Sequence, residues 1–296
     1  MARDNAYWRS DALGEAKELE LPQGRMRYHD TGSGPAVVFV HGALVNANLW
    51  RKVVAGLAPD CRCVALDLPF GAHPIAMPPE ADLSPPAFAE LIADAIAALG
   101  LEDVTLVGND TGGAMCQLVA ARQPERIGRL VLTSCDALDN FPPKAMQPMM
   151  PVLRVPGALS AMLAPTRMQA VRKRIMTMIQ LVKRPIEQEA VDSYALPPLP
   201  DRGVMRDAKK LLAGLDKRYT LEAAERLREF HRPALIAWSR EDKFFPGKYA
   251  EQLAELLPDA RLEWIEDAYT FSPEDQPEKL AKLIGSFVRE PRTTGS

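Results

Sequence analysis

One acidic side chain stands where the sequence predicts a sharp turn between a strand and a helix. The segment at residues 108–112, Gly-Asn-Asp-Thr-Gly, follows an apolar run at residues 104–107 and precedes a helical pattern at residues 114–122. Small residues two positions on either side of Asp110 let the chain pass closely, so its side chain is presented at the helix N-terminus. A carboxylate held there is ionised at neutral pH and can attack a saturated carbon, which leaves an ester on the protein.

The elements that must position this residue alternate along the chain. Apolar runs typical of buried strands lie at residues 36–40, 61–66, 104–107, 130–133, 234–238 and 261–265. Helical patterns lie at residues 48–57, 85–99 and 114–122, at a stretch that ends near residue 257, and from residue 274 onward. Residues 15–31 alternate around a turn and predict an opening antiparallel hairpin. This rhythm predicts βαβ units and an α/β fold with a mostly parallel sheet.

The alternation of strand and helix patterns stops in one long insertion. From residue 137 to residue 217 the strand patterns stop, and helical patterns take over between proline-rich breaks. Eight of the twelve methionines lie here: Met146, Met149, Met150, Met162, Met168, Met176, Met178 and Met205. Adaptable apolar side chains in such a place predict a lid over a site, or else a helical subdomain whose methionines only fill gaps. We therefore predict a core from residues 1–136 and 218–296, with a cap from residues 137–217.

Composition narrows the class of protein. The chain has 296 residues, 47% of them apolar and 25% charged, and a formal charge of −3, which argues against nucleic acid as a main partner. No run of 18 apolar residues is present, and residues 1–10 contain no apolar signal segment. We expect a cytoplasmic monomer or homodimer that acts on a small molecule, with no membrane partner, metal or cofactor. Four cysteines, Cys61, Cys63, Cys116 and Cys135, are predicted to be buried thiols.

This layout resembles the α/β-hydrolase superfamily over nearly the whole chain. The resemblance rests on His41-Gly42 after the third strand, Asp110 at the turn, the helical insertion after the sixth strand, and Asp242 after the seventh. It implies an eight-stranded, mostly parallel sheet with helices on both faces and a helical cap. With Asp at the turn, the chain is most similar to haloalkane dehalogenases and epoxide hydrolases, which form an ester intermediate.

The resemblance implies further roles for residues around Asp110. The N–H groups of Ala43 and Thr111 would hold an oxyanion, with His41 and Gly42 supporting that loop. Hydrolysis of the ester needs a base, which in this superfamily is a histidine after the last strand.

That histidine is missing from the sequence. Its position falls on Thr270, beside Tyr269, and the histidines of the chain are His29, His41, His73 and His231. His73 lies at the correct edge of the sheet and is the alternative base, although a structural loop histidine is the simpler interpretation. Asp242, or else Asp136 after the sixth strand, would be the accompanying acid.

Two further differences from the dehalogenases and epoxide hydrolases concern the residues that bind the substrate. Similar dehalogenases have Trp and Asn where this chain has Thr111 and Ala43, although Asn46 and Asn48 lie close by. Epoxide hydrolases use two cap tyrosines, whereas only Tyr194 lies well inside this cap.

Three hypotheses stay open at this point. The first is a hydrolase with Asp110 as nucleophile, acting on a small apolar molecule, with His73 as an unconventional base or with a water held by Thr270 or Asp242. The second is a lyase, isomerase or cyclase in which Asp110 is an acid and base. The third is a ligand-binding protein that has lost turnover, because fold alone does not fix function.

Overall fold

An eight-stranded sheet organises residues 6–291, the part of the chain that the computed structural model describes. The strands are β1 (Glu15–Leu21), β2 (Gly24–Thr31), β3 (Ala36–Val40), β4 (Arg62–Asp67), β5 (Val104–Asp110), β6 (Ile127–Cys135), β7 (Ala234–Ser239) and β8 (Ala260–Ile265). Their order in the sheet is β1-β2-β4-β3-β5-β6-β7-β8. β2 is antiparallel to both β1 and β4, and the other neighbours are parallel. The predicted α/β class is confirmed. Residues 1–10 were predicted to contain no secretory signal segment, and the first five of them lie outside the described part.

Helices cover both faces of the sheet. They are α1 (Arg51–Leu57), α2 (Pro85–Ala98), α3 (Thr111–Arg122), α4 (Met150–Leu153), α5 (Ala158–Leu163), α6 (Gln169–Met178), α7 (Gln188–Ala195), α8 (Arg202–Gly214), α9 (Lys217–Leu227), α10 (Lys248–Leu256), α11 (Ser272–Asp275) and α12 (Pro277–Arg289). Short 3₁₀ turns lie at Asp11–Leu13, Ala47–Trp50, Gln147–Met149 and Ala164–Arg167. The side chains of α2, α3, α9 and α10 share one apolar core, and those of α1 and α12 share the other. No helix between residues 6 and 291 has the length and apolar character needed to cross a membrane.

Alternation along β3 shows how the two cores are separated. Val38 and Val40 face the first core, while Val37 and Phe39 face the second, because successive side chains of a strand point to opposite faces. All four are fully buried, as expected of a parallel strand with helices on both sides. The register pairs the end of β3 with Gly108 of β5, so the loop after β3 lies beside the turn at Asp110.

The insertion that we predict to be a cap contains α4 to α8 and follows β6. After α8 the chain re-enters the core at α9, which packs against α3. Buried polar contacts join the cap to the loops of the sheet: His73 Nε2 lies 3.2 Å from Asp207 Oδ2, and the Asn48 amide donates to Ser193 Oγ at 2.9 Å. A polar group that stays buried after such a contact breaks has neither a protein partner nor water, so these contacts stabilise the packing of the insertion on the core.

The methionines of the cap do not share one environment. Met150 and Met205 are buried, whereas Met149, Met162, Met168 and Met178 are exposed. The four cysteines are buried free thiols, as predicted.

Candidate active site

The strand-to-helix turn at Asp110 is as sharp as the sequence predicts. β5 ends at Asp110 and α3 begins at Thr111 with no residue between them. The backbone of Asp110 has φ 54° and ψ −133°, a conformation that side-chain-bearing residues rarely adopt. Gly112 makes the turn possible, because a Cβ there would lie 2.3 Å from the carbonyl oxygen of His41. The strain is thus held by close packing of α3 against the end of β3.

The Asp110 carboxylate has one oxygen anchored. Oδ1 accepts hydrogen bonds from the Thr111 N–H at 2.5 Å and from Thr111 Oγ1 at 3.0 Å. Oδ2 lies over Gly42, where a Cβ would come within 2.8 Å of it. Asp110 is also the one residue of β5 that keeps accessible surface, since the other six are buried. The geometry therefore fixes Oδ1 and leaves Oδ2 as the oxygen able to react.

The electrostatic environment of Asp110 disfavours its charge. Burial is the largest cause, and it raises the pKa of Asp110 from 3.8 to about 7. The two hydrogen bonds from Thr111 act in the opposite direction, while the negative charge of Asp242 raises the pKa further. At neutral pH the group is thus divided between its acid and its carboxylate, which is the range in which proton-transfer groups work best.

Asp136 is a second carboxyl group close to Asp110. It follows β6, is completely buried, and its Oδ2 lies 3.2 Å from Thr111 Oγ1. Burial and the charge of Asp110 raise the pKa of Asp136 well above its usual value. The Thr111 hydroxyl has one proton and two acidic neighbours, so it can donate to Asp110 or to Asp136 at any moment, not to both.

Asp242 and Thr270 form a hydrogen-bonded pair. Thr270 Oγ1 donates to Asp242 Oδ1 at 3.0 Å, and the N–H groups of Phe244 and Phe245 donate to the same oxygen at 2.8 Å. Burial raises the pKa of Asp242 to about 6, against the effect of these hydrogen bonds. Within residues 6–291, Asp242 Oδ2 has no hydrogen-bond partner. The position predicted for a histidine is therefore occupied by a hydroxyl that holds an acid.

Two positioning residues were missed by the sequence analysis. The Asn109 amide donates to the Thr270 carbonyl at 2.8 Å and so ties the loop after β8 to the end of β5. The Ser134 hydroxyl accepts the Ser239 N–H at 3.0 Å, and its proximity lowers the pKa of Asp242. In the sequence, Asn109 and Ser134 could have been recognised as polar residues near the end of otherwise apolar strands.

The histidines have structural contacts. The His41 Nδ1–H donates to the Gly42 carbonyl at 2.8 Å, while Nε2 accepts the Leu68 N–H at 3.0 Å. Burial lowers the pKa of His41 to about 4, so this ring is neutral and supports the loop after β3. Both ring nitrogens of His73 are also engaged, one by the Gly71 N–H at 3.3 Å and one by Asp207. Neither ring nitrogen of His73 is therefore free to take a proton from a water at Asp110.

The two tyrosines that the sequence offers for binding a substrate, Tyr194 and Tyr269, contact charged residues. The buried Tyr194 hydroxyl donates to Glu274 Oε1 at 3.2 Å. The Tyr269 ring lies beneath the ammonium groups of Lys183 and Lys243, at 5.3 and 5.7 Å from the ring centre. The side-chain contacts found for these two tyrosines within residues 6–291 are thus with charged residues other than Asp110.

The asparagines near the oxyanion loop also have other partners. The Asn46 amide donates to the Ser193 carbonyl at 2.8 Å, and the Asn48 amide donates to Ser193 Oγ. Both are fully buried and join the core to α7. They are therefore part of the attachment of the cap and are not free to hold a leaving group.

The loop after β3 offers one backbone donor. The Leu44 N–H donates to the Phe70 carbonyl at 2.9 Å, which ties this loop to the loop after β4. The Ala43 N–H has no acceptor among the described residues, whereas the Thr111 N–H is bound by Asp110 itself. If Asp110 becomes an ester at Oδ2, its carbonyl oxygen Oδ1 keeps the Thr111 N–H, which polarises the carbonyl toward attack.

Asp110 lines none of five surface recesses, of about 480 to 610 Å³ each, on the described part of the chain.

Comparison with known proteins identifies the family and supports the fold. The profile of the alpha/beta hydrolase fold family matches residues 35–277. Haloalkane dehalogenase 2 of Mycobacterium bovis is 28% identical over 283 residues, which cover 91% of this chain and 93% of that protein. An uncharacterized protein of the same species is 28% identical over 278 residues, or 89% of this chain and 78% of its own length. The crystal structure of a haloalkane dehalogenase from Bradyrhizobium elkani superposes with a TM-score of 0.77 at 21% identity, covering 93% of this chain and 97% of that one.

Proposed function

Because this chain belongs to the alpha/beta hydrolase fold family, we propose that it is a hydrolase that uses Asp110 as its nucleophile. The observation that carries the proposal is the asymmetry of the carboxylate: Thr111 binds Oδ1, and Oδ2 stands over Gly42. Attack by Oδ2 on an electrophilic carbon forms the Asp110 ester and expels the leaving group with its electron pair. The relatives that are named as haloalkane dehalogenases support this type of first step.

The second step needs a base, and we assign that role to Asp242. Its Oδ2 has no partner within the described residues, and Thr270 holds its other oxygen. With a pKa raised by burial to about 6, Asp242 is mainly ionised at neutral pH and accepts a proton from water. That water attacks the ester carbonyl and the bond to the alkyl oxygen breaks. The departing alkoxide takes the proton from Asp242 and leaves as an alcohol, which restores the Asp110 carboxyl group and the Asp242 carboxylate. A carboxylate is a weaker base here than an imidazole, so we expect this step to limit turnover.

The substrate class follows from what surrounds Asp110. Asn46 and Asn48 are bound to Ser193, so no side-chain amide among these residues stabilises a departing halide. A small apolar electrophile with a good leaving group, such as an alkyl bromide, iodide or strained epoxide, depends least on such help.

A second candidate function rests on the pKa of Asp110. A group that titrates near 7 exchanges protons readily at neutral pH, which suits an elimination or isomerisation catalysed by Asp110 as acid and base. In this case no bond forms between Asp110 and the substrate.

One experiment separates the two functions. The protein is incubated with short alkyl bromides, alkyl iodides and epoxides, and its intact mass is followed with time, with Asp110→Asn as the control. We expect an adduct on Asp110, formed faster as the pH rises through about 7, because only the carboxylate attacks.

Labelled water provides the second measurement. Over several turnovers in ¹⁸O-water, ester hydrolysis transfers label into the Asp110 carboxyl group, which is read by mass spectrometry of the peptide that contains it. Product formation without label in Asp110 would favour the acid–base function. If no electrophile in the panel reacted with the protein, the assignment of Asp110 as the nucleophile would be refuted.

A further inference from the structure

The cap carries a charge opposite to that of the whole chain. Residues 144–186 contain eight Lys and Arg residues and no Asp or Glu, whereas the chain as a whole has 36 basic and 39 acidic residues. Four of the eight have carboxylate partners: Lys144, Arg172, Lys183 and Arg184. The other four are exposed and have no carboxylate partner in the described part of the chain: Arg154, Arg167, Lys173 and Arg174.

The same segment exposes most of the large apolar side chains. Seven of the nine exposed large hydrophobic residues between positions 6 and 291 lie within residues 149–179. They are Met149, Val152, Val155, Met162, Met168, Met178 and Ile179. Met178 is 70% exposed and Met168 63%. Single exposed apolar residues are ordinary, but a concentration of them marks an interaction surface.

These residues lie on elements that contact one another. α4 packs against α5, α5 against the 3₁₀ turn at Ala164–Arg167, and that turn against α6. We call the exposed part of these elements the cap face. Its members are Val152, Val155, Met162, Met168 and Met178, together with Arg154, Arg167, Lys173 and Arg174.

A basic groove adjoins the cap face. It has a volume of about 480 Å³ and lies between α5, the following 3₁₀ turn and α8, with Arg167, Arg202 and Lys209 in its wall. Its one carboxylate, Asp201, is engaged by the N–H groups of Gly203 and Val204 at the start of α8. The free charge in the groove is therefore positive, which suits the phosphate of a lipid headgroup.

We propose that the cap face docks onto the surface of an anionic phospholipid bilayer. Apolar side chains beside free Lys and Arg residues match the boundary between lipid headgroups and acyl chains, and interfacial docking requires no spanning helix. We predicted no membrane partner because the sequence has no long apolar run. Such a run is needed to span a membrane, but it is not needed to bind at the surface of one.

Other partners fit the cap face less well. A symmetric contact with a second copy would place the same unpaired cations against each other. A nucleic acid would find no aromatic side chain in residues 144–186 on which to stack a base. An anionic bilayer satisfies the charges and the apolar side chains together.

Vesicle sedimentation tests this proposal with the whole chain. We expect the protein to sediment with vesicles of phosphatidylcholine mixed with phosphatidylserine, and to stay in solution with phosphatidylcholine alone. Added salt should release it, because the attraction of exposed cations is screened. Lys173→Ser with Arg174→Ser should weaken binding about 25-fold, taking roughly fivefold for each cation near the surface.

Matched controls are available elsewhere on the chain. Lys279 and Lys282 lie exposed on α12 without partners in the described residues, so replacing both with Ser should leave vesicle binding unchanged. Met168→Ser with Met178→Ser should weaken binding, whereas Leu221→Ser, at a residue 40% exposed on α9, should not. Thermal melts check that each variant folds, and alkylation of Asp110 should be unaltered in all of them, which keeps this test separate from that of the hydrolase.

Three results would overturn the proposal. The first is equal binding, or none, to both kinds of vesicle. The second is an equal loss of binding in the Lys279/Lys282 control. The third is a dimer in sedimentation equilibrium that Met178→Ser dissociates while vesicles leave the protein in solution.

Discussion

Replacing the Asp110 carboxylate by an amide should stabilise the protein at alkaline pH. The folded structure raises the pKa of this group from 3.8 to about 7, chiefly by burial. A tenfold change in an acid dissociation constant corresponds to about 1.4 kcal/mol, so ionising Asp110 within the folded protein costs at most about 4 kcal/mol. Part of this cost is repulsion from Asp242, and we therefore expect Asp110→Asn to gain about 2 to 4 kcal/mol above pH 8.

The sign of the pH dependence follows from the raised pKa. Below pH 4 the group is protonated in the folded and the unfolded protein, so the wild type and Asp110→Asn should then differ little. Between pH 4 and pH 7 the folded protein holds the proton that the unfolded chain releases, and the stability of the wild type falls as the pH rises through this window. The asparagine has no proton to release, and its side-chain oxygen can still accept the Thr111 hydrogen bonds.

Urea unfolding at a series of pH values measures the effect. The free energy of unfolding of Asp110→Asn minus that of the wild type should rise from near zero at pH 4 to its full value above pH 8. Asp259→Asn serves as the control, because Asp259 is exposed and makes no side-chain hydrogen bond in the described structure. A difference that is flat across this range, or a variant less stable than the wild type at pH 8, would refute the reasoning.

Two further substitutions test the site and the turn. Thr270→His puts an imidazole beside Asp242, and we expect it to shorten the lifetime of the Asp110 ester at least tenfold in intact-mass time courses; an unchanged lifetime would contradict the assignment of the slow step. Gly112→Ala places a Cβ 2.3 Å from the His41 carbonyl oxygen and should cost about 3 kcal/mol or more in urea unfolding. Gly100→Ala is its comparison, since nothing lies within 4 Å of a Cβ there and only the positive φ of 62° opposes the change, at about 1 kcal/mol. Equal losses in the two glycine variants would show that close packing at the turn matters little.

Buried parallel strands were predicted well, because their continuous apolar runs are visible in the sequence. β3 has the predicted bounds, Ala36–Val40. β6 runs from Ile127 to Cys135, longer than the predicted residues 130–133, since Arg129 and Ser134 interrupt its apolar pattern. Both are nevertheless accommodated: the Arg129 guanidinium donates to the Glu290 carbonyl at 2.6 Å. That contact depends on the end of α12, far along the chain, and no local pattern reveals it.

The site was predictable only as far as chain order determines it. The order of strands places Asp110, Asp242 and Thr270 at one edge of the sheet, and the structure joins the last two by a hydrogen bond. The direction of a long side chain is set by its partners in three dimensions. Tyr194 is held by Glu274, and His73 by Asp207, so neither could be located from its position in the sequence.

The buried bonds that tie α7 and α8 to the sheet bear on how reactants come and go. If the helical insertion covers the site proposed at Asp110, the contacts of Ser193 and Asp207 with core residues oppose its opening as a rigid lid. Reactants would then reach Asp110 by passing individual side chains as these change rotamer. The protein would then select substrates by how fast they enter. That rate would depend on the width of the molecule relative to the narrowest part of the path, and little on the length of the molecule.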